Sequence, residues 1–106
     1  MVATAAQQVI ARAMTEKELQ ANVVMMAKAF GWKVYHPWLS KNSESGFPDL
    51  VLLRDGVGLV VELKREHQHP RPDQQSWLDE FAKTCFTANT WHPTDWLSGL
   101  IEEVLR

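Results

Sequence analysis

The sequence predicts a single α/β domain in which helices cover both faces of a β-sheet, and three observations lead there. Segments of helical period alternate with short β-rich runs. The two strongest of those runs flank an Asp55-Gly56 pair, and the hairpin they form is apolar on both faces. A hairpin lying on a solvated surface would alternate apolar with polar residues, so this one belongs inside a layered fold. With 106 residues, 45% of them apolar and 23% charged, the chain can bury one core and has no length for a second.

Residues 1–14 form an Ala-rich extension, a short helical arm with Val9, Ile10, Ala13 and Met14 on one stripe and a Thr4-x-x-Gln7 capping box. The domain proper spans 15–106. Thr15-Glu16-Lys17-Glu18 opens a helix whose apolar face is Leu19, Val23, Met26, Ala27 and Phe30, and Gly31 ends it. Lys33 to His36 read as a short strand stopped by Pro37, and Ser40 to Gly46 have the composition of an exposed loop. Asp49 to Arg54 and Val57 to Lys64 are strands joined by Asp55-Gly56, a dipeptide suited to a two-residue type I′ turn because both central residues need positive φ. After a polar loop, Pro72-Asp73 starts a helix that turns Trp77, Leu78, Phe81, Ala82 and Cys85 inward. Phe86 to Trp91 form one more strand, and Pro93-Thr94-Asp95 begins a last helix with Leu97, Leu100, Ile101, Val104 and Leu105 on its apolar side. The order is α-β-β-β-α-β-α, with no internal repeat.

Cys85 stands alone, so no internal disulfide forms; it reads as a small buried apolar residue in a chain of a reducing compartment. No segment is apolar for long enough to cross a bilayer, which sets the expectation of a soluble, cytoplasmic protein without membrane partners. A formal net charge of −2 argues against indiscriminate binding to polyanions. That objection weakens for a metal site, which must contain carboxylates that the bound cation later neutralises.

The hairpin carries such a site. With Asp55 and Gly56 in the turn, Arg54 pairs with Val57, and counting outward sets Asp49 opposite Glu62, with Lys64 on the same face as Glu62. Leu50, Leu52, Leu59, Val61 and Leu63 occupy the other face, while Val51, Leu53 and Val60 share the face of the carboxylates. Two opposed carboxylates repel, so something positive belongs between them, and Mg²⁺ answers because it accepts a few carboxylates while keeping several waters. Lys64 can then orient or deprotonate an attacking water. Taken singly, Glu62 and Lys64 fit a solvated strand end and Asp49 fits turn chemistry after Pro48. The three arrayed around one turn favour the site.

Gly46-Phe47-Pro48-Asp49-Leu50, then Glu62-Leu63-Lys64, then Gln74 three before Trp77, resemble the VRR-NUC branch of the PD-(D/E)XK nucleases over about residues 15 to 106. The resemblance implies a restriction-endonuclease-like core, a mixed sheet flanked by helices on both faces. It implies metal binding by Asp49, Glu62 and the backbone carbonyl of Leu63, with Glu18 completing the acidic cluster, Lys64 catalytic, and Gln74 supporting the site from its helix. The cofactor would be Mg²⁺, with Mn²⁺ as substitute and no organic cofactor. The implied activity is hydrolysis of DNA phosphodiesters, on branched or structured DNA such as four-way (Holliday) junctions or flaps. Relatives act as domains of DNA-repair nucleases or as small phage and bacterial homodimers, in the cytoplasm of a bacterium or a phage-infected host. Two features depart from the pattern: Arg71 stands where Ser or Thr commonly caps the helix, so Asp73 or water must serve, and Thr84 to Thr87 lack a glycine.

Other residues have two readings each. Glu18 closes a Thr15-x-x-Glu18 capping box, a role that competes with metal binding for the same oxygens. Lys41, Arg65 and Arg71, together with Lys33, are candidate phosphate contacts or ordinary surface cations. His36 meets phosphate or a flanking base, or is a polar strand end; His67 and His69 read as solvated. Trp38 stacks on a base or packs at a dimer interface, whereas the other tryptophans read mostly as core. The competing functions are a DNA-binding or replication and repair accessory protein that keeps the fold without cutting, and an interaction subunit that uses residues 1–14 to recruit a larger machine.

Overall fold

The computed structural model describes residues 4–37 and 44–106. Among the described residues nine elements run in the order α1 (Ala5–Ala13), α2 (Glu16–Ala29), β1 (Lys33–Tyr35), β2 (Leu50–Arg54), β3 (Val57–Leu63), α3 (Pro72–Ala82), β4 (Thr87–Trp91), α4 (Pro93–Leu97) and α5 (Leu100–Leu105). The four strands form one mixed sheet in the order β1-β2-β3-β4, in which β4 alone runs parallel to its neighbour. A parallel neighbour needs a crossover, and α3 supplies it.

The hairpin forms in the expected register. Arg54 pairs with Val57 and Leu50 with Val61, and the turn residues Asp55 and Gly56 both have positive φ, 49° and 79°. Because side chains alternate across a sheet, one face collects Leu50, Leu52, Leu59, Val61 and Leu63. These pack with Trp91 against Leu19, Val23 and Ala27 of α2 and Ile101 and Leu105 of α5. Each of the Leu, Val and Ile side chains, once removed from water, contributes about 1.5–3 kcal/mol before entropy is charged against it. Trp32 closes the turn end of this core, its Nε1 donating to the Leu105 carbonyl at 2.9 Å. The guanidinium of Arg54 lies 4.4 Å from the Trp32 ring centre and donates to the carbonyls of Phe30 and Leu105. On the other face α3 packs against β3 and β4, burying Leu78 and Val60. Helices therefore flank the sheet on both sides.

Four expectations are corrected. The last helix is two helices, because Gly99 takes φ +87° and breaks the run between α4 and α5; Leu100 and Val104 are exposed rather than packed. The apolar period ran through this glycine without marking the bend. Cys85 is exposed, since α3 stops at Ala82. There Thr84 diverts the backbone: its hydroxyl donates to the Phe81 carbonyl and accepts from the Phe86 amide. In α1 the stripe of Val9 and Ile10 faces solvent, and the helix is held instead through Ala11, which is fully buried, and Met14. Gln7 Nε2 donates to the Leu97 carbonyl of α4, and the small Ala11 lets the two helices approach. Lys33 pairs with Leu53, next to the hairpin turn, and so lies at the far end of the sheet from Asp49. Among the described residues no helix is long and apolar enough to cross a membrane.

Candidate active site

Asp49 is positioned by the block that precedes it. Gly46 adopts φ +89° and lies against the start of α3 so closely that a Cβ there would come within 2.7 Å of the Asp73 backbone. Only glycine fits this approach without strain. Phe47 then docks edge-on against Trp77 and Phe81, with centroids 5.1 and 5.9 Å away, and Trp77 Nε1 donates to the Ser45 carbonyl. Pro48 is fully buried. The loop thus reaches β2 from a fixed direction, and Asp49 Oδ2 accepts the Leu63 amide at 2.7 Å. Asp49 sits one step beyond the last ladder pair, Leu50 with Val61, which sets it across from Glu62.

Glu62 is 1% exposed. Its Oε2 lies 3.3 Å from Lys64 Nζ, itself buried, while Oε1 is buried without a hydrogen-bond partner among the described residues. Burial, followed by the negative charge of Asp49, pushes the Glu62 carboxyl up to about 7, against the opposing pull of Lys64. A buried acceptor with no donor is costly, commonly ~1–3 kcal/mol. An unpartnered carboxylate oxygen next to a second carboxylate suits a hard cation with oxygen ligands, and the donor set fits Mg²⁺. Among the described residues no three His, Cys, Asp or Glu side chains form a metal-holding group. Two carboxylates with the remaining positions left to a backbone carbonyl and water match the habit of Mg²⁺ rather than that of a cation enclosed entirely by side chains.

Glu18 is not gathered into this group. Its Oε1 accepts from both the amide and the hydroxyl of Thr15, completing the capping box of α2. Those two bonds, backbone first, hold its carboxyl below the ordinary value. Gln74 is buried at the start of α3 and its Oε1 accepts the Arg71 amide at 2.8 Å. Gln74 thereby satisfies the amide of Arg71 just outside the helix, while the Gln74 backbone amide faces the Asp73 carboxylate, as expected where Arg71 offers no capping oxygen. Asp73 also binds Ser45 Oγ and Arg71 Nε, and its carboxyl is lowered to about 2, chiefly by Ser45.

The cations expected to meet phosphate are spread out. Arg65 directly follows Lys64, and its Nη2 donates to the Arg12 carbonyl at the end of α1. Arg71 is exposed and paired with Asp73 at 3.2 Å. His36 is hydrogen-bonded to Gln20 of α2, which ties it toward the helix-covered core face rather than the face of Asp49 and Glu62. Lys41 and Trp38 lie outside the described residues. A groove of about 480 Å³ opens at the hairpin turn, lined in part by Lys33, Leu53, Gly58, Cys85 and Phe86. It contains none of the motif residues, which gather at the opposite end of the sheet. The anchoring role of Gly46, Phe47 and Trp77 went unread in the sequence, although their spacing was visible within the motif.

The match to the VRR-NUC domain model covers residues 2–92. The chain belongs to the VRR-NUC family. A solved structure described as a VRR_NUC domain is 29% identical with a TM-score of 0.69, the alignment covering 84% of this chain and 97% of the other. A second, described as a VRR_NUC domain protein, is 22% identical over 85% of this chain and 87% of that one, with a TM-score of 0.66, and supports the fold. No curated protein matches the chain. Membership gives this VRR-NUC chain a nuclease-type fold and DNA as its class of partner.

Proposed function

We propose that this VRR-NUC chain is a divalent-metal-dependent DNA endonuclease that acts on branched or flapped DNA, with two copies cutting symmetric strands of a junction as a homodimer. The observation that carries the reading is the buried, unpartnered Oε1 of Glu62 beside Asp49, with Lys64 3.3 Å from the other oxygen. Asp49, Glu62 and the Leu63 carbonyl would hold Mg²⁺, or Mn²⁺ in its place. When bound, the cation supplies charge stabilisation on a phosphoryl oxygen and acidifies a water.

The residues of the chain supply the rest. Asp49 is kept in place by the Leu63 amide, so its carboxylate needs no reorganisation. Glu62, raised to about 7, surrenders its proton when it becomes a ligand, and metal affinity therefore rises with pH up to that value. Lys64 spends one of its three N–H donors on Glu62, and the other two, without a partner among the described residues, can orient a water or a phosphate oxygen. Arg65, next in the chain to Lys64, and the exposed Arg71 at the start of α3 would offer charge to phosphates away from the scissile bond.

The test is cleavage of labelled duplex, flap and four-way-junction DNA in Mg²⁺, Mn²⁺ or chelator, by wild type and by Asp49→Ala, Glu62→Ala and Lys64→Ala. Metal-dependent cutting lost in each variant is the expected result, with a drop of about 10²-fold or more per residue. Wild-type cutting that survives all three substitutions would overturn the site. Wild-type binding without cutting on any substrate would favour the accessory-protein reading.

A further inference from the structure

We propose that Tyr35 and Lys33 on the edge strand β1 form a track for an unpaired DNA strand leading away from the active site, with Tyr35 stacking on a base. The inference rests on the nuclease reading above and specifies its substrate as DNA with a single-stranded arm.

The argument begins with the faces of the sheet. Tyr35 stands directly opposite Val51, and Lys33 opposite Leu53. Val51 and Leu53 alternate with Leu50 and Leu52, so they and their partners lie on the face that carries Asp49 and Glu62. Helix α3 covers that face over β3 and β4. Over β1 and β2 it is open: Tyr35 is 62% exposed and Leu53 45%, and Lys33 is exposed as well. A large aromatic exposed on the same face as two carboxylates is free to stack on a flat ligand. Tyr35 is the diagonal neighbour of Asp49, a relation of ~7–8 Å that a tyrosine side chain can span.

Continuing along the same face, Lys33 follows two residues from Tyr35, about 6–7 Å further from the carboxylates. It stands at the rim of the groove at the hairpin turn, where Leu53 and Phe86 also line the wall. An aromatic platform, then a cation, then a cleft with an aromatic wall is the composition that holds an unpaired strand, since bases stack on the ring and phosphate meets the ammonium. A double helix would present its bases edge-on in its grooves and leave the ring with nothing to stack upon. The complementarity in charge and shape therefore commits the track to single-stranded nucleic acid. His36, one residue on, takes no part because it is bonded to Gln20 of α2.

The experiment measures binding of fluorescein-labelled short oligothymidylate and of a blunt duplex in chelator, where nothing is cut, for wild type, Tyr35→Ala, Tyr35→Phe and Lys33→Gln. Tyr35→Ala should weaken the oligothymidylate roughly 5- to 100-fold and Tyr35→Phe should restore it, with duplex affinity little changed. Lys33→Gln should flatten the salt dependence of single-strand binding by about one unit of slope. In Mg²⁺, Tyr35→Ala should raise KM for a flap substrate and leave kcat. Equal losses on both probes, no loss on either, or failure of Phe to restore binding would each overturn the proposal. Binding through Tyr35 by a protein that never cuts would instead sink the nuclease reading and leave the track standing; unaltered binding by a protein that cuts would do the reverse.

Discussion

Replacing Glu62 by Gln in metal-free protein should remove a pH dependence of stability whose size follows from its burial. In the folded chain the carboxyl is raised from 4.5 to about 7, first by desolvation and then by Asp49. A carboxyl with a raised folded value favours folding while it is protonated: its contribution is complete below the unfolded value of 4.5 and is lost as pH rises through about 7. At ~1.4 kcal/mol per unit, wild type should lose ~2–3 kcal/mol relative to Glu62→Gln between about pH 5 and about pH 8. The substitution also deprives buried Lys64 of its partner, but that cost is a constant offset as long as the lysine stays charged, and the prediction concerns the slope. Urea titrations of both proteins in chelator at several pH values provide the measurement, with m-values compared to check that unfolding stays two-state. Adding Mg²⁺ at about pH 8 should return stability to wild type, by ~2.7 kcal/mol at a hundredfold excess over its dissociation constant, and much less to the variant. A stability difference that stays flat with pH would refute the reasoning, because it would mean that Glu62 ionises in the fold as freely as in water.

Two other substitutions test the supports of the site. Gly46→Ala should destabilise by about 2–4 kcal/mol in denaturant titration, since it combines a φ of +89° with a Cβ 2.7 Å from the Asp73 backbone; a neutral effect would mean that the loop is not pressed against α3. Thr15→Ala should lower stability by about 0.5–2 kcal/mol through loss of the α2 cap, whereas Glu18→Gln keeps an acceptor for the Thr15 amide and should leave stability nearly unchanged; metal-dependent cleavage should persist in both, and abolition of cleavage by Glu18→Gln alone would return that residue to the ligand set.

Much of this chain could be read locally. The Asp55-Gly56 turn sets its own register, because two residues at positive φ leave one way for the flanking strands to pair, and that register carries Asp49 to Glu62 without help from the rest of the fold. Helix starts at Thr4, Thr15 and Pro72 were legible for the same reason, each resting on bonds within one turn. The motif blocks identified the family before any geometry was known.

What the sequence left open was a choice between roles, settled by near neighbours in some cases and by distant partners in others. Gln74 has the chemistry to support a metal site, and its Oε1 is engaged by the amide of Arg71. Glu18 has the charge of a ligand but binds Thr15, and among the described residues it joins no metal-holding group. The stripe of α1 faced solvent because Gln7 found a carbonyl ninety residues away, and Cys85 was left outside because Thr84 bent the chain before it. Tyr35 and His36 differ by one position, and the pairing of β1 with β2 sets Tyr35 on the face of the carboxylates, whereas the placing of α2 and α3 decides which parts of that face stay open. Turns and caps are settled by bonds between near neighbours. Whether a face is covered or open is settled by which helices reach it, and no short window of sequence contains that information.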